Sequence, residues 1–203
     1  MKALILGFGP FKKHKINPAG IIAQELNREH INNISIIGYE LPVSFRKVIS
    51  NVPLLIRESK ADVIIGLGLA GGRPNITIER VAINIMDTDK PDIDDYTPTD
   101  EKIVESGPAA YFSTLPIKKI LAELRRNGIP AMVSNSAGTY VCNTLMYMIL
   151  HTITLEKLHA IGGFFHLPFL PEQVLDKPQP SMSKDLIKKA IRIAIKTCLS
   201  ENQ

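Results

Sequence analysis

The feature that most constrains this chain is its alternation of short apolar runs with amphipathic helical stretches. Ala3 to Phe8 is apolar without interruption and is closed by Gly9-Pro10. A strand with no polar face must be covered on both sides, which is the setting of a parallel strand inside an α/β protein. Pro18 then opens a helical pattern through Ile21, Ile22 and Leu26, and Ile34 to Leu41 reads as a second strand. Phe45 to Ile56 reads as a helix through Val48, Ile49, Val52 and Leu55, and Asp62 to Leu67 as a third, buried strand. Further on, Pro116 starts a helix to Asn127 that Gly128 ends, followed by a brief strand from Ala131 to Ser134. Val141 to Thr154 reads as a helix, His159 to Phe165 as a strand, and Ser181 to Leu199 as a closing helix with Asp185 in its first turn. The alternation predicts an α/β protein: a three-layer α/β/α sandwich around a mostly parallel, twisted sheet. At 203 residues the chain suits one domain spanning 1–203.

Two segments break this rhythm. Ile76 to Asn84 alternates with period two, as an antiparallel or edge strand would, placing Thr77 and Glu79 on one face together with Val81. Asp87 to Ser106 is rich in Asp, Pro and Thr and reads as a polar surface excursion, a functional loop or a subunit contact.

Charge excludes some function classes. The 24 basic and 20 acidic residues leave a net +4, and the cations sit in scattered pairs such as Lys12-Lys13, Arg125-Arg126 and Lys188-Lys189. Such pairs fit solvated faces, so no nucleic-acid partner is expected. The apolar start at Met1 to Leu6 ends at Gly7 without a cleavage site, and no run of about 18 apolar residues follows. A cytoplasmic protein with no membrane partner is the expectation. Two cysteines, Cys142 and Cys198, make neither a disulfide framework nor a zinc site.

The chemistry gathers around three residues. Cys142 follows a strand end and the small-residue loop Ser134 to Val141, so its sulfur enters the first turn of a helix. There the helix N-terminus lowers a thiol pKa, and free N–H groups can hold an oxyanion. Its plain alternative is an inert core cysteine. His166 ends the strand Ala160 to Phe165, at the carboxyl edge of an open sheet, with Cys142 expected after a neighbouring strand at that edge. Its alternative is a satisfied strand-end histidine. Glu79, a carboxylate on an apolar strand, needs a partner such as a histidine ring N–H; its alternative is an ion pair with Arg80 or a lysine. His14 and His30 lie near turns, and His151 and His159 flank the far end of the Cys142 helix. Gly66 to Gly71 matches GxGxxG, but Gly72-Arg73-Pro74 follows where a helix should open, so a strand-to-strand loop is expected and no cofactor.

The segments Gly7 to Phe11 with Asn17-Pro18, Gly68 to Arg73 through Ile78 to Asn84, Tyr111 to Pro116, Ser134 to Asn143, and His166 to Gln173 occur in an order that resembles the pyrrolidone carboxyl peptidase family, also called pyroglutamyl peptidase I. The resemblance implies a cysteine exopeptidase that hydrolyses the bond after an N-terminal pyroglutamyl residue, with a triad falling on Cys142, His166 and Glu79. It further implies a lactam pocket lined by Phe8, Phe11, Tyr140 and Val141, a role for Asn17 in orienting loop or lactam, and a homotetramer. Where the family pattern reads Asp-Ala-Arg-Ile-Pro-Asp, this chain has Asp87-Thr88-Asp89-Lys90-Pro91-Asp92, so Asp89 replaces an arginine thought to support the oxyanion. Lys90 could supply that charge if the loop shifted register. The alternative reading is a pyroglutamyl-peptide binding protein with impaired catalysis. Cys198 suggests an intersubunit disulfide or a free thiol on a frayed helix.

Overall fold

A strand apolar on both sides needs two covering layers, and β1 (Lys2–Phe8) has them in the computed structural model, which describes residues 1–11 and 15–199. Its sheet also contains β2 (His30–Ile31), β3 (Ile34–Leu41), β4 (Val63–Leu69), β5 (Ile76–Glu79), β8 (Ala131–Ser134) and β9 (Ile161–Leu167). The short strands β6 (Val81–Ile83) and β7 (Ala110–Phe112) form a separate antiparallel ribbon. The spatial order is β2-β3-β1-β4-β9-β5-β8. β3, β1, β4 and β9 are mutually parallel, while β5 runs antiparallel to β9 and parallel to β8.

The helices α1 (Pro18–Leu26), α3 (Ile117–Arg126) and α5 (Lys184–Leu199) cover one face, where Ala3, Ile5, Ile65 and Phe165 join them. On the other face α2 (Phe45–Ser59) and α4 (Val141–Leu155) pack with Leu4, Leu6, Ile64 and Phe164. The expected three layers around a mostly parallel sheet are therefore present. Local chemistry sets the helix ends. Asn17 Oδ1 accepts from Ala19 N–H (3.1 Å) with Pro18 in the first turn, and Ser44 Oγ accepts from Lys47 N–H (3.1 Å). Gly128 ends α3 in the left-handed region at φ 73°. The closing helix starts at Lys184 rather than Ser181, because Ser183 Oγ takes the Leu186 N–H and Ser181 bridges to Phe169 instead.

Two expectations are corrected. The alternating run from Ile76 is antiparallel to β9, one of the two placements expected, but it is neither at an edge nor one strand: it breaks at Arg80, whose N–H donates to the Ser134 carbonyl and whose carbonyl accepts from Ser113 N–H. Glu79 thus stays inside the sheet, while Val81 leaves for the ribbon. The strand before Cys142, β8, is not next to β9 and does not end at the same edge; β5 lies between them, and β8 runs opposite to β9. Strand order is a long-range property that local periodicity does not carry.

The excursion after β6 is held by two asparagines. Asn84 Nδ2 donates to the Val104 and Gly107 carbonyls, and its Oδ1 accepts from Ile103 and Val104 N–H. Asn143, beside Cys142 on α4, donates to the Ile83 and Ile85 carbonyls and accepts from Ile83 N–H. Asn143→Ala would leave these backbone groups unpaired in a buried place, and a loss of roughly 2–4 kcal/mol is expected in urea unfolding. The excursion is also less superficial than its composition suggests. Asp92 is buried, its carboxylate accepting from the backbone N–H groups of Phe45, Asp94 and Tyr96.

Cys198 is 3% exposed and packs in the core with α1 and α3, so it is neither frayed nor available for a bridge unless the end of α5 unpacks. Burial pushes its thiol up to about 12. Of the basic pairs, Arg126 pairs with Glu123, and Lys188 with Glu25 and Glu29. His14 and the pair Lys12-Lys13 lie outside the described residues.

Candidate active site

β9 runs two residues further than its apolar pattern suggested, through His166 to Leu167, which places His166 opposite Gly68 on β4 and Thr77 on β5. Paired residues share a face, so His166, Thr77, Phe164 and Glu79 all point to the layer of α2 and α4. Glu79 is fully buried, and its Oε1 lies 2.7 Å from His166 Nδ1. His166 is 6% exposed and packs edge-on against the Phe164 ring, with centroids 5.0 Å apart. Its hydrogen bond to Glu79 uses Nδ1, which leaves Nε2 for its hydrogen bond with Cys142.

The charges support one another. Burial alone would lower the histidine, but the charge and hydrogen bond of Cys142, followed by those of Glu79, push His166 up to about 9. Burial would likewise raise Glu79, yet the hydrogen bond and positive charge of His166 hold it below the usual carboxylate range. A buried ionised carboxylate beside an imidazolium is the arrangement that fixes a histidine's tautomer and ring orientation.

Cys142 reaches this pair from the N-terminus of α4, after a loop that travels back from β8. Gly68 makes the approach possible: a Cβ there would lie 2.8 Å from Cys142 Sγ and 2.8 Å from Phe164 Cζ, closer than atoms can pack. Gly66 and Gly68 thus belong to β4 itself, and the GxGxxG run opens no helix; these two glycines leave room for the Phe164 ring and the sulfur, and Gly71 for the Phe169 ring. The α4 N-terminus has no side-chain cap. Among the described residues, the backbone N–H groups of Val141 and Cys142 have no backbone acceptor, so they are free to bind a negative oxygen.

A cavity of ≈ 450 Å³ opens beside Cys142 and His166, with Phe11, Leu69, Thr139 and Tyr140 among its walls and Asp87 to Lys90 along one side. Phe11 and Tyr140 pack against each other at 6.1 Å, and Phe45 meets Tyr140 edge-on at 5.4 Å. Phe8 and Val141 lie in the core, outside this lining. Asn17 also lies outside it and uses its amide within the fold, donating to the Gly9 carbonyl (3.0 Å) and capping α1. Loop 87–91 is pinned at both ends. Asp87 N–H donates to the Thr139 carbonyl, Thr139 Oγ1 to the Asp87 carbonyl (2.7 Å) and Tyr140 Oη to the Pro91 carbonyl (3.1 Å). Bringing Lys90 into the place of Asp89 would break these bonds.

Arg73 joins the site without any local signal in the sequence: its Nη1 lies 2.8 Å from Thr77 Oγ1 and 3.1 Å from Glu79 Oε1. It lies in a glycine-rich loop with no periodicity to aim it. Arg80, the alternative partner for Glu79, donates to Asn135 Oδ1 instead.

A family model described as pyroglutamyl peptidase matches residues 1–201. Among curated proteins, the chain is 53% identical to the pyrrolidone-carboxylate peptidase of Thermococcus onnurineus, over 98% of this chain and 99% of that one. It is 49% identical to that of Bacillus licheniformis, over 95% and 90%. Among solved structures, a mutant pyrrolidone carboxyl peptidase from Pyrococcus furiosus superposes with a TM-score of 0.97 at 43% identity, covering 100% of both chains. Pyroglutamyl peptidase I of Bacillus amyloliquefaciens gives 0.94 at 42% identity, covering 97% and 96%.

Proposed function

The chain belongs to the pyroglutamyl peptidase family, and we propose that Cys142, His166 and Glu79 carry its chemistry. It is a cysteine peptidase that hydrolyses the amide bond after an N-terminal pyroglutamyl residue. The observation that supports this assignment of roles is the buried Glu79–His166 contact of 2.7 Å with Cys142 on the other ring nitrogen.

In this reading His166 takes the Cys142 proton through Nε2, and the thiolate attacks the pyroglutamyl carbonyl carbon. The carbonyl oxygen gains the negative charge beside the free N–H groups at the α4 N-terminus. The C–N bond then breaks as the imidazolium gives its proton to the departing peptide amine. Water, deprotonated by His166, cleaves the thioester and releases pyroglutamate. Glu79 keeps Nδ1 protonated throughout. An ionised Asp89 carboxylate cannot donate as an arginine would, so in this reading the backbone N–H groups at the start of α4 carry the oxyanion.

The lactam is small and uncharged, which suits a pocket walled by Phe11, Leu69 and Tyr140. Burial, aided by the negative charges of Asp92 and Cys142, raises the Tyr140 hydroxyl well above its usual range, so it stays a donor to Pro91. Phe8, Val141 and Asn17 act one layer out, supporting those walls. The test is amine release from a pyroglutamyl amide compared with a prolyl amide, which has the same ring without the lactam carbonyl. Turnover of the pyroglutamyl amide alone is expected; equal turnover of both would remove the lactam from recognition. The binding-protein reading is not favoured, since the curated relatives named above are peptidases.

A homotetramer in a reducing, cytoplasmic setting completes the proposal. Two observations motivate it: both cysteines are free, and Phe112, paired with Val81 on the ribbon, is 68% exposed. Sedimentation at the 22.5 kDa mass of one chain would count against the assembly. Among the described residues no helix is long and apolar enough to cross a membrane.

A further inference from the structure

The Glu79 carboxylate is lopsided. Three donors converge on Oε1: His166 Nδ1 at 2.7 Å, Thr77 Oγ1 at 3.0 Å and Arg73 Nη1 at 3.1 Å. Oε2 is buried with no hydrogen-bond partner. The same Arg73 nitrogen also lies 2.8 Å from Thr77 Oγ1. An arginine nitrogen can only donate, so Thr77 must accept from it, and the single hydroxyl proton of Thr77 is left for Glu79. Arg73 therefore acts on Glu79 twice, directly through one N–H and through Thr77 with the other.

We infer that Arg73 is a positioning residue for the reaction: it fixes Glu79 as an ionised carboxylate with its charge on Oε1, and so fixes the His166 tautomer that faces Cys142. This deepens the proposed assignment of roles and rests on it. No other cation takes this place among the described residues. The groups facing Glu79 are His166 from β9, Thr77 from its own strand, Ser134 from β8 and Cys142 beyond the ring, while the Arg80 guanidinium is turned to Asn135. Arginine stays charged at all working pH values, so the carboxylate keeps a positive partner in the step where His166 is neutral. Without it, that step would leave a buried, uncompensated charge. Arg73 is itself partly exposed, which makes it the link between this buried charge and solvent.

The test is the pH dependence of Cys142 alkylation by iodoacetamide, together with kcat/KM for a pyroglutamyl amide, in Arg73→Ala, Arg73→Gln, Arg73→Lys and Thr77→Val. Removing a cation raises the pKa of every nearby group. In Arg73→Ala and Arg73→Gln, both limbs of the profile are therefore expected to move upward by roughly one unit, moderated by solvent screening. A fall of about tenfold in kcat/KM at neutral pH accompanies the shift. Arg73→Lys keeps the charge and is expected to keep the pH profile while losing part of the rate. Thr77→Val should move the limbs less, in the same direction. Wild-type alkylation profiles in both neutral variants at position 73, whatever their Tm, would overturn the inference, because a merely structural arginine lowers Tm without moving a pH midpoint. Alkylation needs no substrate, so this outcome is read separately from the turnover that tests the pyroglutamyl specificity.

Discussion

Replacing Cys142 with serine is expected to cut amine release from a pyroglutamyl amide by about 10⁴-fold or more, with unfolding free energy changed by less than roughly 1 kcal/mol. The rate falls because a hydroxyl gives up its proton to a histidine far less readily than a thiol does and is the weaker nucleophile toward the carbonyl carbon. The fold barely responds because the sulfur and oxygen are similar in size and the side chain is only partly enclosed. His166 should also titrate lower in this variant, since Cys142 supplies the leading influences that hold its proton against burial. Stopped-assay rates, urea unfolding and the histidine C–H chemical shift measure the three effects. Residual turnover within tenfold of wild type would remove Cys142 from the nucleophile's role.

Glu79→Gln is expected to be the next most damaging change, lowering kcat by roughly 10²- to 10⁴-fold. The carboxamide fills the same volume but can offer its NH₂ to Nδ1, favouring the tautomer whose Nε2 proton faces Cys142. Stability should change with pH in a defined window. Glu79 is lowered from its ordinary 4.5, so its stabilising contribution is present above that value and fades as pH falls through the depressed one. His166 is raised from 6.5 to about 9, so its contribution is complete below 6.5 and fades as pH rises through about 9. The Tm gap between wild type and Glu79→Gln should be widest between these limits and close toward pH 9. A gap independent of pH would mean that the pair is not ionised in the native state.

What could be read in the sequence followed physical range. The strand Ala3 to Phe8 and the helix from Val141 declare themselves by periodicity and end signals that act over a few residues. Glu79 could be singled out because a carboxylate among isoleucines needs a donor, and Cys142 because a helix start after a loop of small residues is a place for a thiolate. The place of β5 between β9 and β8, the return of the chain across the sheet, and the burial of Phe8, Val141 and Asn17 outside the pocket lining depend on strand order, which no local pattern encodes. Arg73 escaped for the same reason. A guanidinium after Gly71-Gly72 can turn anywhere until the surrounding strands fix where the buried carboxylate lies.

The two sulfurs lie on opposite sides of the sheet, Cys142 against the layer of α2 and α4 and Cys198 within the layer of α1, α3 and α5. Cys142 alone meets solvent-borne peroxide, and the sulfenic acid it would form has no resolving thiol within reach in its own chain. Oxidative arrest therefore cannot end in an internal disulfide. A thiol that reverses the oxidation from outside must enter by the same cavity that admits the lactam, because Cys142 lines that cavity.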